Sequence, residues 1–449
     1  MASSLKSFYT GKNILLTGGT GFMGITMVEK LLRSFPEVGS ITMVVRDKKG
    51  VTVEERKNSY FNHKAFDRLK KENGVDHNKI QFVQGDIQKG NLGLSHATIE
   101  KIQDEIDLIV HGAAMLNFSL PLKFYIDSNV RATHDLLKIA EGCRKLNGFM
   151  YISTAFCQTR RAGNHTTETV LEHPISPGEL LQMACRMTSD EMEARSNELT
   201  FDWLNYYMYS KNVTENMISE FERKFPIAIF RPAVVGHSYA EPSPYFMGND
   251  VGFPKVLMEA GKGLTFFCNT LANANTVPVD LTVYGAMAAL YNTSKNKGLK
   301  VYNYTTNNHP CTFSDAFRLY SSGVPDYESV LVPYRYKLMT MDNVTPGSIE
   351  EKYRKQLDFY YKFQEKIGWV LNTPWTYENE NIDALWSQMS EVDKALLPFD
   401  VRACDWPKYY TNMFAKQFGP FAFPEFEHLT EEKRAELREK FFYKHYLNY

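Results

Sequence analysis

The chain has 449 residues, 43% hydrophobic and 23% charged, with a formal net charge of −1. That length suits two or three domains at about 150 residues each, and the composition is that of a folded globular protein. So even a charge balance sets up no global field for nucleic acid or anionic lipid, so no nucleic-acid partner is expected and any anion binding has to be local. Cys143, Cys157, Cys185, Cys268, Cys311 and Cys404 form no C-x-x-C pair and no zinc-like Cys/His spacing, which favours a reducing compartment and no metal. Met1-Ala2-Ser3-Ser4-Leu5-Lys6 lacks the apolar core of a signal peptide, and Leu447-Asn448-Tyr449 is not a peroxisomal address of the Ser-Lys-Leu type. No apolar run reaches the roughly 18 residues of a membrane-spanning helix, so an intracellular chain without a transmembrane segment is expected.

Asn13-Ile14-Leu15-Leu16-Thr17 reads as a buried strand. Thr17-Gly18-Gly19-Thr20-Gly21-Phe22-Met23-Gly24 follows, and then Ile25, Val28, Leu31, Leu32 and Phe35 fall on one helical face. A second strand, Ile41 to Val45, runs into Arg46-Asp47-Lys48-Lys49, with Arg56 further on. Ile80 to Val83 is a third strand ending in Gly85-Asp86-Ile87, and Leu108 to Val110 a fourth ending in His111-Gly112-Ala113-Ala114. Phe149 to Ile152 is a fifth, followed by Ser153-Thr154, and Ile227 to Phe230 a sixth, followed by Arg231-Pro232. Between these two, Tyr207-Met208-Tyr209-Ser210-Lys211 lies on a helix. Strands alternating with helices imply right-handed βαβ units, hence an α/β fold with a Rossmann-type, doubly wound parallel sheet.

The composition changes near Pro346-Gly347. A charged helical stretch is expected from Glu350 to about Lys366, and a second helix where Ile382, Leu385, Trp386 and Met389 repeat with helical spacing after Asn381 as N-cap. Two domains follow: residues 1–345 carry the sheet, and residues 346–449 form a small helical domain.

A glycine-rich turn between strand and helix brings backbone up to a pyrophosphate and aims a helix N-terminus at it. Gly18, Gly21 and Gly24 have that spacing, with Thr17, Thr20, Phe22 and Met23 as their neighbours in the cofactor site. A carboxylate at the end of the second strand would select NAD, whereas a guanidinium pairs with the 2′-phosphate of NADPH. Arg46 stands there, Arg56 is a second clamp, and Asp47 is the dissenting residue, so NADPH is the expected cofactor. Asp86, with Ile87, suits the adenine, and the small Ala113 lets the cofactor pass.

Tyr207 and Lys211 are four apart and share one helical face. An ammonium beside a phenol favours the phenolate and lowers its pKa, which fits Tyr207 for proton transfer to a carbonyl oxygen. A hydroxyl at the end of the fifth strand would bond that oxygen; Thr154 is the first choice and Ser153 the second. Tyr206 and Tyr209 project from other faces of the helix.

These residues resemble those of extended short-chain dehydrogenases and, more narrowly, of alcohol-forming fatty acyl-CoA reductases. The resemblance covers nearly the whole chain. It is carried by Thr17 to Gly24, Arg46 to Gly50, Val53-Glu54-Glu55-Arg56, Tyr151 to Phe156, Tyr207 to Lys211, Phe230-Arg231-Pro232 and Val277-Pro278-Val279-Asp280. Asn381 to Trp386, Phe399-Asp400-Val401-Arg402 and Asp405-Trp406 are similar to the C-terminal domain of those reductases, which sugar-nucleotide epimerases and hydroxysteroid dehydrogenases lack. The chain departs from the family pattern at Ser243 to Val251 and at Ala132, where a glycine is usual.

The resemblance implies NADPH-dependent reduction of a long-chain acyl-CoA, through hemithioacetal and aldehyde, to a primary alcohol. Tyr207, Lys211 and Thr154 would be catalytic, and Lys211 and Pro232 would also touch the cofactor. The alternatives are a reductase that stops at the aldehyde, another extended dehydrogenase acting on a steroid or nucleotide sugar, and a non-catalytic binding protein on the same fold. The resemblance also suggests a peroxisomal or endoplasmic-reticulum surface, with the cytoplasm as the alternative; the aromatic and cationic tail Phe441 to Tyr446 is expected either to sit at a membrane surface or to be docked or frayed. It implies no particular oligomeric state.

Overall fold

In a computed structural model, the described residues are 3–48, 50–116, 119–159, 163–248, 271–295, 297–322 and 373–417, with a few isolated positions between them. The expected strands form as β1 Ile14–Thr17, β2 Ile41–Val45, β3 Ile80–Gln84, β4 Leu108–His111, β5 Gly148–Ile152 and β6 Ile227–Pro232. A seventh, β7 Leu299–Tyr304, was not anticipated: its Lys300, Asn303 and alternating tyrosines hide the apolar run by which the others are read. All seven pair in parallel in the order β7-β6-β5-β4-β1-β2-β3. β1, β4 and β5 are buried along their whole length because helices cover both faces of the sheet.

The helices Phe22–Ser34 and Val279–Ser294 pack against each other, and the helices Ala132–Glu141 and Tyr206–Ser219 form a second packed pair. The strand order reverses direction at β1, between β2 and β4, and open parallel sheets bind ligands at the carboxyl ends of the strands beside such a reversal. Every sequence-predicted site residue that follows a strand therefore comes to this one edge.

The described C-terminal residues dock onto the same body. Thr376–Tyr377 pairs in parallel with His165–Thr166, and the helix Glu380–Gln388 packs on β7. Trp375 and Tyr377 meet the ring of Phe156 edge-on, just past the end of β5. Asn381 is not the cap of that helix: Asn379 holds the N-cap position, and Asn381, inside the first turn, donates its side-chain N–H to Val301 O at 2.9 Å. A contact to the sheet has taken the residue that local sequence assigns to capping. The stretch Glu350 to Lys366, the domain boundary near Pro346 and the tail Phe441 to Tyr446 lie outside the described residues. Among the described residues no helix is long and apolar enough to cross a membrane.

Candidate active site

The glycine loop has the shape its spacing predicts. Gly18 has φ +79°, and a Cβ there would lie 2.8 Å from the backbone of Gly112 and Ala113. A Cβ on Gly24 would strike Gly18 O, so the helix can start this close to β1 only without a side chain. Gly21 is the N-cap of Phe22–Ser34 and has no side chain to satisfy the first-turn N–H groups. Phe22 and Met23 are half-buried at that first turn. Thr17, at the end of β1, accepts from Ala113 N at 3.2 Å and shares a 2.6 Å hydrogen bond with His111 Nδ1. The other nitrogen, Nε2, lies 3.0 Å from Thr133 Oγ1. Burial, with the Lys211 charge adding to it, pushes His111 down to about 3, so the imidazole is neutral at physiological pH and ties β1 to β4.

At the end of β2 two guanidiniums converge. Arg56 donates to Arg46 O and, at 2.9 Å, to Thr20 Oγ1 in the glycine loop. Burial, and then the neighbouring Arg46 cation, hold Arg56 below the usual arginine value. Arg46 lies 3.8 Å from Asp86, which also caps the turn after β3 through Gln88 N at 3.0 Å. Asp47 accepts from Val53 N at 2.8 Å, so its carboxylate is used to start the next helix. Ile87 is half-buried beside Asp86. The left-handed glycine, the uncapped helix start and the paired arginines suit a dinucleotide, with pyrophosphate on the loop and an anionic group facing Arg46 and Arg56.

The second half of the site comes from β5, β6 and the helix Tyr206–Ser219, whose N-cap Asn205 accepts from Met208 N at 2.9 Å. Tyr207 through Glu215 are all buried although half of them are polar, so each polar group needs a partner inside the protein. Lys211 Nζ donates to Ile152 O at 2.7 Å and lies 4.5 Å from the ring centre of Tyr151 and 5.8 Å from that of Tyr207. Burial draws the Lys211 ammonium down to about 7, against the pull of Glu215.

Burial also raises the Tyr207 phenol well above its ordinary value. This reverses the expected lowering, because desolvation of a fully enclosed phenol outweighs an ammonium that is held against Ile152 O. The group is therefore a protonated acid at neutral pH. Tyr206 donates to Glu193 at 2.6 Å, and Tyr209 packs on His173 and Trp203, so neither shares the Tyr207 face.

Successive residues past a strand point to opposite sides, and this separates the two hydroxyl candidates. Ser153 donates to Glu215 Oε1 at 2.5 Å and is committed to the interior. Among the described residues, Thr154 Oγ1 has only a 3.4 Å contact from Phe156 N. Pro232 is buried at the end of β6, where its carbonyl accepts from Ala155 N at 2.9 Å.

Three further residues were not singled out as site residues from sequence. Asn129, in the π-helical turn Ile126–Arg131, accepts from Met115 N at 2.9 Å and donates to Ser210 Oγ at 3.0 Å, joining the loop after β4 to the Tyr207 helix. Glu215 and Arg231 form a fully buried ion pair beneath Lys211. Only Glu215 left a signal: it stands one helical turn after Lys211, on the same face.

A family model of NAD-binding type, described as male sterility protein, matches residues 16–286, and a second model with the same description matches residues 339–416. Human fatty acyl-CoA reductase 1 (Homo sapiens) is 31% identical over 91% of this chain and 84% of its own length. The chain belongs to the fatty acyl-CoA reductase family. Fatty acyl-CoA reductase 1 of Rattus norvegicus is 30% identical over the same shares of the two chains. Among solved structures, the terminal R domain of the myxalamid PKS-NRPS pathway superposes with a TM-score of 0.58 at 18% identity, covering 91% of this chain and 92% of that one, which speaks to the fold. A fatty acyl-CoA reductase of this family is an oxidoreductase that uses a nicotinamide cofactor.

Proposed function

We propose that this chain reduces a long-chain fatty acyl-CoA with NADPH to a primary alcohol, releasing CoA. The observation that carries the reading is the meeting of the Tyr207, Lys211 and Thr154 group with the glycine loop at one sheet edge, in a chain of this family. NADPH is favoured because Arg46 and Arg56 converge beside Thr20 while Asp47 is engaged with Val53 N–H. When bound, the nicotinamide supplies a hydride to the thioester carbonyl carbon and, from a second equivalent, to the aldehyde carbon. Tyr207, protonated at neutral pH, gives its proton to the carbonyl oxygen as negative charge develops there. The Thr154 hydroxyl donates to the same oxygen. Lys211 would hold the nicotinamide ribose beside Tyr207. The hemithioacetal from the first reduction expels CoA as thiol, leaving the aldehyde for the second. Each reduction takes one hydride, which carries the two electrons, and one proton. Residues 1–345 would supply this chemistry, and residues 346–449 would form the helical second domain.

The test is oxidation of NADPH by the purified protein with palmitoyl-CoA, with free CoA and lipid products identified by mass spectrometry. Hexadecanol, lost on Tyr207→Phe, is the expected result. Hexadecanal as the final product would end the reaction at two electrons, and NADPH binding without turnover would overturn the substrate assignment.

A further inference from the structure

One buried cluster is not used by this chemistry. Arg231 and Glu215 are both fully buried and meet at 2.5 Å (Nη2 to Oε2) and 2.9 Å (Nε to Oε1). Charges taken out of water are costly unless their remaining hydrogen-bonding capacity is filled. Here Ser153 donates to Glu215 Oε1 at 2.5 Å, and Arg231 donates to Thr167 O at 2.7 Å and to Thr169 O at 2.8 Å. Those two carbonyls flank Glu168, whose carboxylate accepts from Asn303 N at 3.0 Å and from Asn381 N at 2.7 Å. Asn303 further donates to Thr166 O and, at 2.9 Å, to Glu378 O. The segment 166–169 is therefore a strap, hooked from below by Arg231 and clamped from above by residues 376–381.

We propose that Glu215 is a positioning residue for the reductase reaction: it withholds Ser153 from the substrate, so that Thr154 is the hydroxyl at the strand end, and it supplies the counter-charge to Lys211, with Arg231 anchoring it to the strap. The groups around Lys211 leave Glu215 alone in that role among the described residues. Tyr207 on the same helix, Tyr151 on β5 and Cys157 beyond it are all raised by burial and stay neutral, and His111 on β4 is neutral above about 3. Arg231 on β6 is a cation paired with Glu215. The chain LysNζ to Ile152 O, and Ser153 Oγ to Glu215, also ties two consecutive residues of the strand end to two consecutive turns of one helix.

The proposal rests on the reductase reading for its turnover arm only; its cofactor arm needs no acyl-CoA. In that arm NADPH affinity is followed by fluorescence from pH 6 to 9. Wild-type affinity falls as pH rises past the Lys211 titration. In Glu215→Gln/Arg231→Gln, which removes both charges together, the midpoint of that fall should move toward acid, because Glu215 attracts the Lys211 ammonium directly. An unmoved midpoint in a variant that still melts cooperatively overturns the counter-charge. Glu215→Asp keeps the charge and should keep the wild-type midpoint; if the double variant does not fold, a midpoint displaced in Glu215→Asp by a full pH unit overturns it instead. In the turnover arm Ser153→Ala should stay within about twofold of wild type, because a hydroxyl turned inward does not meet the developing oxyanion. A loss as large as that of Thr154→Ala overturns the claim that Ser153 is withheld.

Discussion

The two flanks of β1 are built by different means. On the β2–β3 side, where the adenosine end of a dinucleotide would lie, the site is made by backbone and by near neighbours: a left-handed Gly18, a Gly24 without room for a Cβ, and Arg56 reaching Thr20 and Arg46. On the β4–β5–β6 side it is made by buried polar side chains far apart in sequence. Lys211 is held by Ile152 O, Ser153 by Glu215, Glu215 by Arg231, and Arg231 by the strap under the C-terminal residues. Binding a constant phosphate needs only short-range geometry, which a turn and a helix start provide. Holding a phenol, an ammonium and a hydroxyl in one arrangement needs buried side chains tied to one another and to backbone.

This contrast predicts that lesions on the two flanks separate binding from chemistry. The largest effect is expected from Tyr207→Phe, which removes the acid and should cut kcat by about 10²–10⁴-fold in steady-state assays while leaving NADPH affinity nearly unchanged. Thr154→Ala should lower kcat by about 10²–10³-fold, since one donor to the oxyanion is lost from an otherwise intact site. On the other flank, Arg46→Ala and Arg56→Ala should leave kcat near wild type and raise KM for NADPH by about tenfold each, with little change for NADH, because only the 2′-phosphate contact is removed. A fall in kcat with KM unchanged for either arginine would erase the proposed division.

The smallest effect concerns the clamp. Burial pushes the Glu168 carboxyl up to about 7 in the folded chain, whereas its ordinary value is about 4.5. The folded state therefore binds more protons between these two values, and stability should decline as pH rises from about 5 to about 7. Glu168 is only partly buried, so a change of a few degrees in Tm is expected rather than the full shift. Glu168→Gln should flatten that part of the Tm-against-pH curve; an unchanged slope would remove Glu168 from the clamp.

The amino-acid sequence by itself determined six of the seven strands, the glycine loop, the arginines after β2 and the four-residue spacing of Tyr207 and Lys211. These are local: an apolar run buried on both faces, a turn that tolerates no Cβ, and a helical period are all written within a few tens of residues. Tertiary structure alone decided the rest. β7 carries Lys300, Tyr302, Asn303 and Tyr304, and becomes a strand because β6 offers it an edge. Asn381 surrendered its capping role to a contact with Val301 across the sheet. Tyr207 became a stronger-held acid instead of a ready phenolate, since desolvation is a property of the enclosure and not of the spacing to Lys211. The inward hydrogen bond of Ser153, on which the proposed choice of Thr154 rests, goes to Glu215, 62 positions away, and exists only once the helix has packed against the strand end.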